Sequence, residues 1–453
     1  MNPLRPSSVS RRRFLTRGTG ATLTPAFFPY VLGGSAVAKD SNNQDTLKIG
    51  LVGCGGRGTG AASQALSADY NIKLHAVADV LPEKAQAAVD QLSTKASGKG
   101  GKKSASSGVD FSDRIDVPKE RQFIGTEAYK QLIDCCDVVI LATPPGFRPM
   151  HLTAAVEAGK HIFCEKPMAV DATGYRMALQ AIRKAKEKSL CVVAGFCWRR
   201  HASRVEAMKR VHDGQIGDIT SIFATYYTGP VKPMPEESAR PPEMSDVEWQ
   251  IRNWYNFSWL GGDGLVEQAV HSVDKTGWAL GDKDPISCIA TGGRQIPSRG
   301  GNIFDHFHVA YEYDNNVIVH LGCRQITGCF NETADIVRGT KGTLLIGSKG
   351  GGVPMIEAEE RWRSRDETSV KNMYQVEHDE LFAAIRAGKV INDGDWMLHS
   401  TMLALMGRMA AYSGKRISWK DAIESKEDLA PEQTLKWGDK FDPGPVPRPG
   451  QIA

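Results

Sequence analysis

Leu47 to Gly58, with the sequence Leu-Lys-Ile-Gly-Leu-Val-Gly-Cys-Gly-Gly-Arg-Gly, decides the fold. Its first half is a short apolar run, as expected for a strand that is covered on both faces in a parallel sheet. Gly53, Gly55 and Gly58 then follow with G-x-G-x-x-G spacing. In such a turn the first glycine permits the bend, the second lets the backbone approach a pyrophosphate, and the third lets the next helix pack closely.

A second apolar run, Ile72 to Ala78, is closed by Asp79, which lies 26 residues after Gly53. A carboxylate at this position accepts hydrogen bonds from an adenosine ribose and repels a 2'-phosphate, so NAD is favoured and NADP is less favoured. The phosphates would lie on the free N–H groups of the following helix, near Gly56 and Arg57. The alternative is a glycine turn that serves packing alone.

The first 38 residues differ from the rest of the chain. Ser10-Arg11-Arg12-Arg13-Phe14-Leu15 precedes an apolar stretch without acidic residues, which ends in Ala36-Val37-Ala38 as an A-x-A cleavage site. This pattern resembles a twin-arginine export signal. We therefore expect residues 1–38 to be read by the twin-arginine export machinery and the mature protein to be periplasmic or otherwise exported. A retained membrane anchor is the alternative.

The net positive charge of the chain comes from residues 1–38. Removing their five arginines leaves 51 basic against 52 acidic residues, so the composition gives no argument for nucleic-acid binding. The nine cysteines form no C-x-x-C pair, and several lie in apolar runs as small hydrophobic residues.

Strands and helices alternate after Asp79. Asp137 to Ala142 is a predicted strand that ends at Thr143-Pro144, and His161 to Cys164 is another that ends at Glu165-Lys166-Pro167. This order predicts a doubly wound parallel sheet over residues 46–195, an α/β fold in which ligands bind beyond the carboxyl ends of the strands.

Residues 196–453 are expected to form a second, α+β domain. Ile219 to Thr228 alternates as a half-buried strand, and Phe304 to Tyr313 and Val317 to Thr327 flank a hairpin signal, which predicts a large, mostly antiparallel open sheet. His306 and His308 share one face of a strand, but no third ligand is evident and we expect no metal. Four aromatic residues near residue 254 form either a packed cover or a platform for a sugar ring: Trp249, Trp254, Tyr255 and Trp259.

The first domain resembles a known family. The glycine turn, a strand that ends in Ala-Thr-Pro with His151 several residues on, and Gly-Lys-His ahead of Glu-Lys-Pro are similar to the glucose-fructose oxidoreductase, inositol dehydrogenase and MocA family. The resemblance implies a Rossmann NAD-binding domain and a second domain whose open sheet forms a homo-oligomer, either a dimer or a tetramer. It implies these cofactor-binding residues: Gly53, Gly55, Gly56, Arg57, Gly58, Asp79, Thr143, Pro144, His151, Glu165 and Lys166.

The family's second motif is matched by Glu267, His271 and Asp274. They lie at i, i+4 and i+7 of a predicted helix, Leu265 to Leu280, so all three are expected on one face. By resemblance Lys166 and His271 are the catalytic pair, and Glu267 or Asp274 would orient the imidazole. Glu267 stands where many members have Asp, and a solvated polar face is the alternative.

These residues predict an NAD(P)-dependent oxidoreductase that transfers a hydride between the nicotinamide and a CH–OH group of a sugar, sugar derivative or cyclitol. The residues expected to contact that substrate are Lys166, Trp198, Arg199, Arg200, Trp254 and His271. Two alternatives remain open, namely an NAD-dependent glycoside hydrolase that oxidises its sugar transiently, and a non-catalytic exported binding protein.

Overall fold

The computed structural model describes residues 45–94, 109–296, 300–365, 371–431 and 436–451. The predicted export signal, residues 1–38, lies outside the described residues. Within the ranges that are described, none of the helices has the length and apolar character needed to cross a membrane.

The first sheet consists of six parallel strands in the order β3-β2-β1-β4-β5-β6. Its strands are β1 (Leu47–Val52), β2 (Ile72–Asp79), β3 (Gln122–Ile124), β4 (Val138–Leu141), β5 (His161–Cys164) and β6 (Val192–Ala194). The helices between them are α1 (Gly56–Ala68), α2 (Pro82–Ser93), α3 (Ala128–Cys135), α4 (Arg148–Glu157) and α5 (Ala172–Glu187). The predicted doubly wound sheet is confirmed.

Both faces of this sheet are covered, which explains the nearly continuous apolar strands. Ile49 and Leu51 pack on one side in a cluster with residues of α1 and α2, whereas Val52 and Leu141 pack on the other side with residues of α3 and α4. Since neither face meets solvent, the strands need no polar alternation. Their carboxyl ends therefore form one edge at which the loops converge.

The second sheet has nine strands in the order β14-β13-β12-β11-β7-β10-β9-β8-β15, all antiparallel to their neighbours except the pair β7 and β10. Its strands are β7 (Ile219–Thr228), β8 (Ser287–Gly293), β9 (His306–Glu312), β10 (Ile318–Gln325), β11 (Glu332–Gly339), β12 (Gly342–Gly347), β13 (Met355–Ala358), β14 (Trp362–Arg363) and β15 (Ile417–Ser418). The predicted mostly antiparallel sheet is confirmed.

Helices cover one face of this sheet. The remaining α-helices of the described residues are α6 (Ala202–His212), α7 (Asp246–Arg252), α8 (Ser258–Gly261), α9 (Val270–Ala279), α10 (Met373–Arg386), α11 (Gly394–Ser413) and α12 (Trp419–Glu424). α9 and α11 pack on the buried face, where Ile222 and Ala224 of β7 are inaccessible. Phe223 and Ile289 lie on the other face and are exposed.

The chain returns to the first sheet near its C-terminus. Leu381 and Phe382 of α10 belong to the same buried cluster as Ile49 of β1, and the N–H of Val192 donates to the carbonyl of Ile391 at 2.9 Å. The division of the chain at residue 195 remains a prediction. α10, which follows the strands β7 to β14 of the second sheet in the chain, packs on the first sheet. The chain therefore returns to the first sheet after it has formed most of the second.

Candidate active site

A cleft of about 1350 Å³ opens at the carboxyl ends of the first sheet and is closed on its other side by residues of the second domain. Arg199, Arg200 and Asp274 are not among its lining residues. The other predicted site residues all line it, namely Gly53, Gly55, Gly56, Arg57, Gly58, Asp79, Thr143, Pro144, His151, Glu165, Lys166, Trp198, Trp254, Glu267 and His271.

Each of the three motif glycines is required, or tolerated, for a different steric reason. Gly53 has φ +94°, and a Cβ there would lie 2.7 Å from backbone atoms of Ala142 and Thr143. A Cβ at Gly58 would lie 1.9 Å from the carbonyl oxygen of Gly53, so only glycine lets α1 pack this closely on the turn. A Cβ at Gly55 would meet no atom within 4 Å, because this residue faces the open cleft.

The first turn of α1 and the end of β2 meet beside this cleft. Among the described residues no side chain caps the N-terminus of α1, and such a helix end can bind an anion. Asp79 accepts hydrogen bonds from the N–H groups of Cys54 at 2.7 Å and Leu81 at 2.9 Å. Burial raises the pKa of Asp79, and these two N–H groups lower it. The carboxylate is thereby held directly beside the glycine turn.

Arg57 is fastened by the protein itself. Its guanidinium pairs with Glu165, donates to Gln64 at 3.1 Å, and lies over the ring of Tyr374 with 4.8 Å to the centroid. Glu377 lies 3.6 Å from it and is fully buried. The guanidinium therefore forms part of the cleft wall, and most of its contacts are made by the protein itself.

His151 is a buried neutral histidine. Its Nδ1 lies 3.1 Å from the hydroxyl of Thr143, and burial, reinforced by Arg148, lowers the pKa of His151 to about 3. The imidazole packs on Tyr129 at 4.3 Å between ring centroids. It therefore presents an uncharged wall to the cleft.

Lys166 is held from the second domain. Its Nζ donates to the carboxylate of Glu267 at 2.8 Å and also to the backbone carbonyl of that residue. The amide of Gln268 donates to the other oxygen of Glu267 at 2.6 Å, and the hydroxyl of Tyr226 donates to Gln268 at 3.0 Å. Gln268 and Tyr226 both line the cleft, and the sequence reasoning missed both.

The predicted helix from Leu265 to Leu280 is not a single α-helix. Leu265–Ala269 forms a π-helical turn, and α9 begins only at Val270. Such widened turns are rare and occur frequently at functional sites. The turn gives Glu267 and the adjacent Gln268 access to the same cleft, a geometry that i, i+4 spacing on a regular helix does not predict.

His271 lines the cleft as a half-buried imidazole. Its Nδ1 has no hydrogen-bond partner among the described residues. Burial lowers the pKa of His271 well below its usual range, and the positive charges of Lys166, Lys275 and Arg57 lower it further. The side chain is thus a neutral imidazole, as a general base at neutral pH must be.

The expected bond between this imidazole and a carboxylate is absent at Nδ1. Glu267 pairs with Lys166, while the fully buried Asp274 accepts from Arg199 at 2.8 Å and from Ser400 at 2.8 Å. A buried carboxylate needs a cation or several donors, and Arg199 supplies the cation here. Asp274 therefore braces the segment that enters the second domain.

Arg199 and Arg200 are also engaged within the protein. Arg199 forms two further hydrogen bonds to Asp282, at 2.6 and 2.9 Å. Arg200 pairs with Glu380 at 2.6 Å and with Asp393 at 2.8 Å. The expectation that both arginines contact substrate does not agree with these ion pairs, because neither guanidinium lines the cleft.

The aromatic residues near residue 254 form mainly a packed cover. Trp249 and Trp259 are buried in one cluster with Val247 and Leu260, and the ring of Phe147 meets Trp259 edge-on at 5.9 Å. Trp254 and Trp259 also border the cleft. The packed cover is thus observed, and the platform for a sugar ring stays a prediction.

Comparisons with known proteins agree with this architecture. Residues 47–196 match the family model described as the oxidoreductase family GFO_IDH_MocA with an NAD-binding Rossmann fold. Residues 205–345 match the model of the GFO/IDH/MocA C-terminal domain.

The chain is 30% identical over 176 residues to levoglucosan dehydrogenase of Pseudarthrobacter phenanthrenivorans, covering 38% of this chain and 40% of that protein. It is 24% identical to inositol 2-dehydrogenase of Rhizobium meliloti, covering 58% of this chain and 64% of that protein. The chain thus spans less than two thirds of either relative. A structure of levoglucosan dehydrogenase with NADH and levoglucosan shares the fold, with a TM-score of 0.62 at 18% identity, covering 82% of this chain and 99% of that one.

Proposed function

Because the chain belongs to the GFO/IDH/MocA family of oxidoreductases, we propose that it is an NAD-dependent enzyme acting on a CH–OH group of a sugar, sugar derivative or cyclitol. The observation that carries this proposal is the ion pair between Lys166 and Glu267, which lies in the same cleft as the glycine turn and His271. A polar pair from two domains, buried beside a nucleotide turn, fits a reacting hydroxyl better than it fits packing.

The residues of the cleft fit NAD. The open space at Gly55 and the uncapped N-terminus of α1 suit a pyrophosphate, and Asp79 suits a ribose with free hydroxyls. Glu165 and Lys166, at the end of β5, lie at the same edge of the sheet. When bound, NAD supplies the acceptor or donor of the hydride.

We assign the proton chemistry to His271 and Lys166. The neutral imidazole of His271 takes the proton of the substrate hydroxyl, and the ammonium group of Lys166 donates a hydrogen bond to the same oxygen as charge develops on it. Glu267 positions Lys166 through the 2.8 Å ion pair. In the reverse direction the protonated imidazole returns the proton to a carbonyl oxygen.

The rest of the cleft suits a polyhydroxylated ring. Tyr226 and Gln268 offer hydroxyl and amide groups, and Trp198 offers an aromatic face. The names of two similar proteins, levoglucosan dehydrogenase and inositol 2-dehydrogenase, support the same substrate class.

The proposal is tested by screening the purified protein with NAD against sugars, cyclitols and aryl glycosides while following the absorbance of reduced nicotinamide. We expect net reduction with at least one sugar or cyclitol, and reduction that is roughly 100-fold or more slower with the variant His271→Ala. Release of an aryl group without net reduction would indicate the glycoside hydrolase instead. Binding of a sugar without either reaction would indicate a binding protein.

We also propose that the protein is exported in a folded state, on the basis of Arg11 and Arg12 ahead of the apolar stretch. The variant with Arg11→Lys and Arg12→Lys should remain in the cytoplasm, because the export receptor reads the arginine pair itself. Export of this variant at the normal rate, measured by cell fractionation, would reject the assignment.

A homo-oligomer through the open face of the second sheet completes the proposal. Phe223 and Ile289 expose 41% and 47% of their surface on that face, which favours burial against a second copy. The variant with Phe223→Asp and Ile289→Asp should reduce a dimer or tetramer to a monomer in light scattering. An unchanged mass would place the interface elsewhere.

A further inference from the structure

The end of the cleft marked by Asp79 has walls from both domains. Leu81 and Lys84 line it from the first domain, immediately after β2. From the second domain, six of the cleft's lining residues lie in one stretch, residues 230–261, which we call the cover segment; they are Lys232, Val247, Ile251, Arg252, Trp254 and Trp259. Because Asp79 marks the ribose of the adenosine half, the cover segment faces that half of the nucleotide site.

The cover segment lies directly against the first domain. Arg252 donates to Glu83 of α2 at 2.7 Å, and its Nε is held by Glu248 at 2.7 Å. A Cβ at Gly146 would lie 2.1 Å from the carbonyl oxygen of Trp259, so the backbones of α8 and the loop after β4 are in close contact. The cover segment is thus packed directly onto the nucleotide domain.

The C-terminal segment, residues 437–443, fastens the cover segment from outside. The ring of Phe441 meets Trp259 edge-on at 5.4 Å, and its carbonyl accepts from the amide of Gln250 at 2.7 Å. The N–H of Phe441 donates to Asp246 at 3.2 Å, and Val247 donates to Asp439 at 3.3 Å. These contacts tie both ends of α7 to the C-terminal segment.

The charges of the wall suit a dinucleotide. Lys232 and Lys84 bring two ammonium groups to the same end of the cleft, and the ammonium group of Lys232 donates to the carbonyl of Arg252. Burial lowers the pKa of Lys232, and the positive charge of Lys84 lowers it further. An ammonium group carries three N–H donors, so Lys232 can hold the carbonyl of Arg252 and still donate a hydrogen bond to a ribose hydroxyl of a bound dinucleotide.

We propose that the cover segment, fastened by the C-terminal segment, forms the outer wall of the adenosine half of the nucleotide site, and that Lys232 contacts the bound dinucleotide. The proposal rests on the proposed function, since it takes NAD as the occupant. Its consequence is slow exchange of the cofactor, because the adenosine half leaves only when the cover segment separates from α2 and from the loop after β4.

The test measures the release rate of NADH from the loaded, full-length protein, by mixing with excess NAD in a stopped-flow fluorimeter. Phe441→Ala loosens the fastening and Lys232→Ala removes a contact, so each should raise the release rate about tenfold. The matched control is Arg416→Ala, which breaks a 2.7 Å ion pair with Glu312 that lies outside the cleft, and which should leave the rate unchanged.

Release rates within about twofold of the wild-type rate for both variants would overturn the proposal. If Phe441→Ala fails to fold, as judged by thermal unfolding, Lys232→Ala decides alone, because this half-buried side chain contributes little to the core. Wild-type protein that does not bind NADH would reject the proposed function itself. If the wild-type protein binds NADH but the variants release it at the wild-type rate, only the proposal that the cover segment forms the outer wall would be rejected.

Discussion

Substituting Gly55 by valine separates the nucleotide site from the stability of the fold. Gly55 has φ −71° and ψ 178°, a conformation that valine adopts readily, and an added Cβ would meet no atom within 4 Å. We therefore expect the free energy of unfolding to change by no more than about 0.5 kcal/mol. The added methyl groups would occupy the open space in front of the first turn of α1, where we place the pyrophosphate.

The loss of affinity follows from the contacts that the pyrophosphate can no longer make. Two charge-assisted hydrogen bonds to backbone N–H groups contribute about 1.5 to 3 kcal/mol each. Their combined loss of about 3 to 6 kcal/mol corresponds to a Kd for NADH that is roughly 100- to 20,000-fold higher. Titration calorimetry with NADH measures the affinity, and thermal unfolding of the same preparation measures stability.

Gly58→Ala is the matched control, because the added Cβ would lie 1.9 Å from the carbonyl oxygen of Gly53. The turn and α1 must then separate, which we expect to cost about 1 to 3 kcal/mol of stability. Two results would refute the reasoning. NADH affinity of Gly55→Val within a few-fold of the wild-type value would remove the pyrophosphate from this turn, and a loss of stability equal to that of Gly58→Ala would show that Gly55 does not face open space.

Three further predictions concern the proton chemistry. Glu267→Gln should lower turnover on the order of 10- to 100-fold with unchanged NADH affinity, because Lys166 loses the anion that positions it; equal losses in both would indicate a general structural role. Lys166→Met and His271→Ala should each bind NADH normally and lose roughly 100- to 10,000-fold in turnover. The double variant should lose far less than the product of the two single losses, because the two groups act as a unit; single-turnover rates measure this. In the double variant Lys275→Met, Asp335→Asn, no unpaired buried charge remains, and the pKa of His271 should rise toward its usual value. The base is then protonated at higher pH, so the acid limb of kcat/KM should move upward in pH; a limb that stays in place would exclude the charge of Lys275.

The fold could be predicted from the sequence because its strands and turns are marked by patterns of neighbouring residues. The apolar runs of β1, β4 and β5 are bounded by glycine or proline, and each strand ends where the pattern ends within a residue or two. The glycine spacing and Asp79 then located the nucleotide end of the cleft, since both depend on residues close in the chain. Lys166 was placed by Pro167 directly after β5.

The partners of charged side chains could not be predicted in the same way. Helical spacing placed Glu267, His271 and Asp274 on one face, but it assumed a regular α-helix, and the π turn at Leu265–Ala269 changes which side chains reach the cleft. Tyr226 was read only as one residue of an alternating strand. Its bond to Gln268 joins residues 42 positions apart, and no local pattern contains that information.

The ion pairs of Arg200 show why the cleft keeps one geometry without a carboxylate bound to the imidazole of His271. Arg200 lies six residues after the end of β6 and pairs with Glu380 and Asp393, which lie 180 and 193 residues further along the chain. Its neighbour Arg199 pairs with Asp274, three residues after His271 on α9. The segment that contains Arg199 and Arg200 connects the two sheets. It is therefore held both to α10 and the start of α11, through Arg200, and to α9, the helix of His271, through Arg199. Since Arg199 and Asp274 are both buried, a shift of α9 away from this segment would break their charge pair at a cost of about 3 to 5 kcal/mol, which restrains the helix that carries His271.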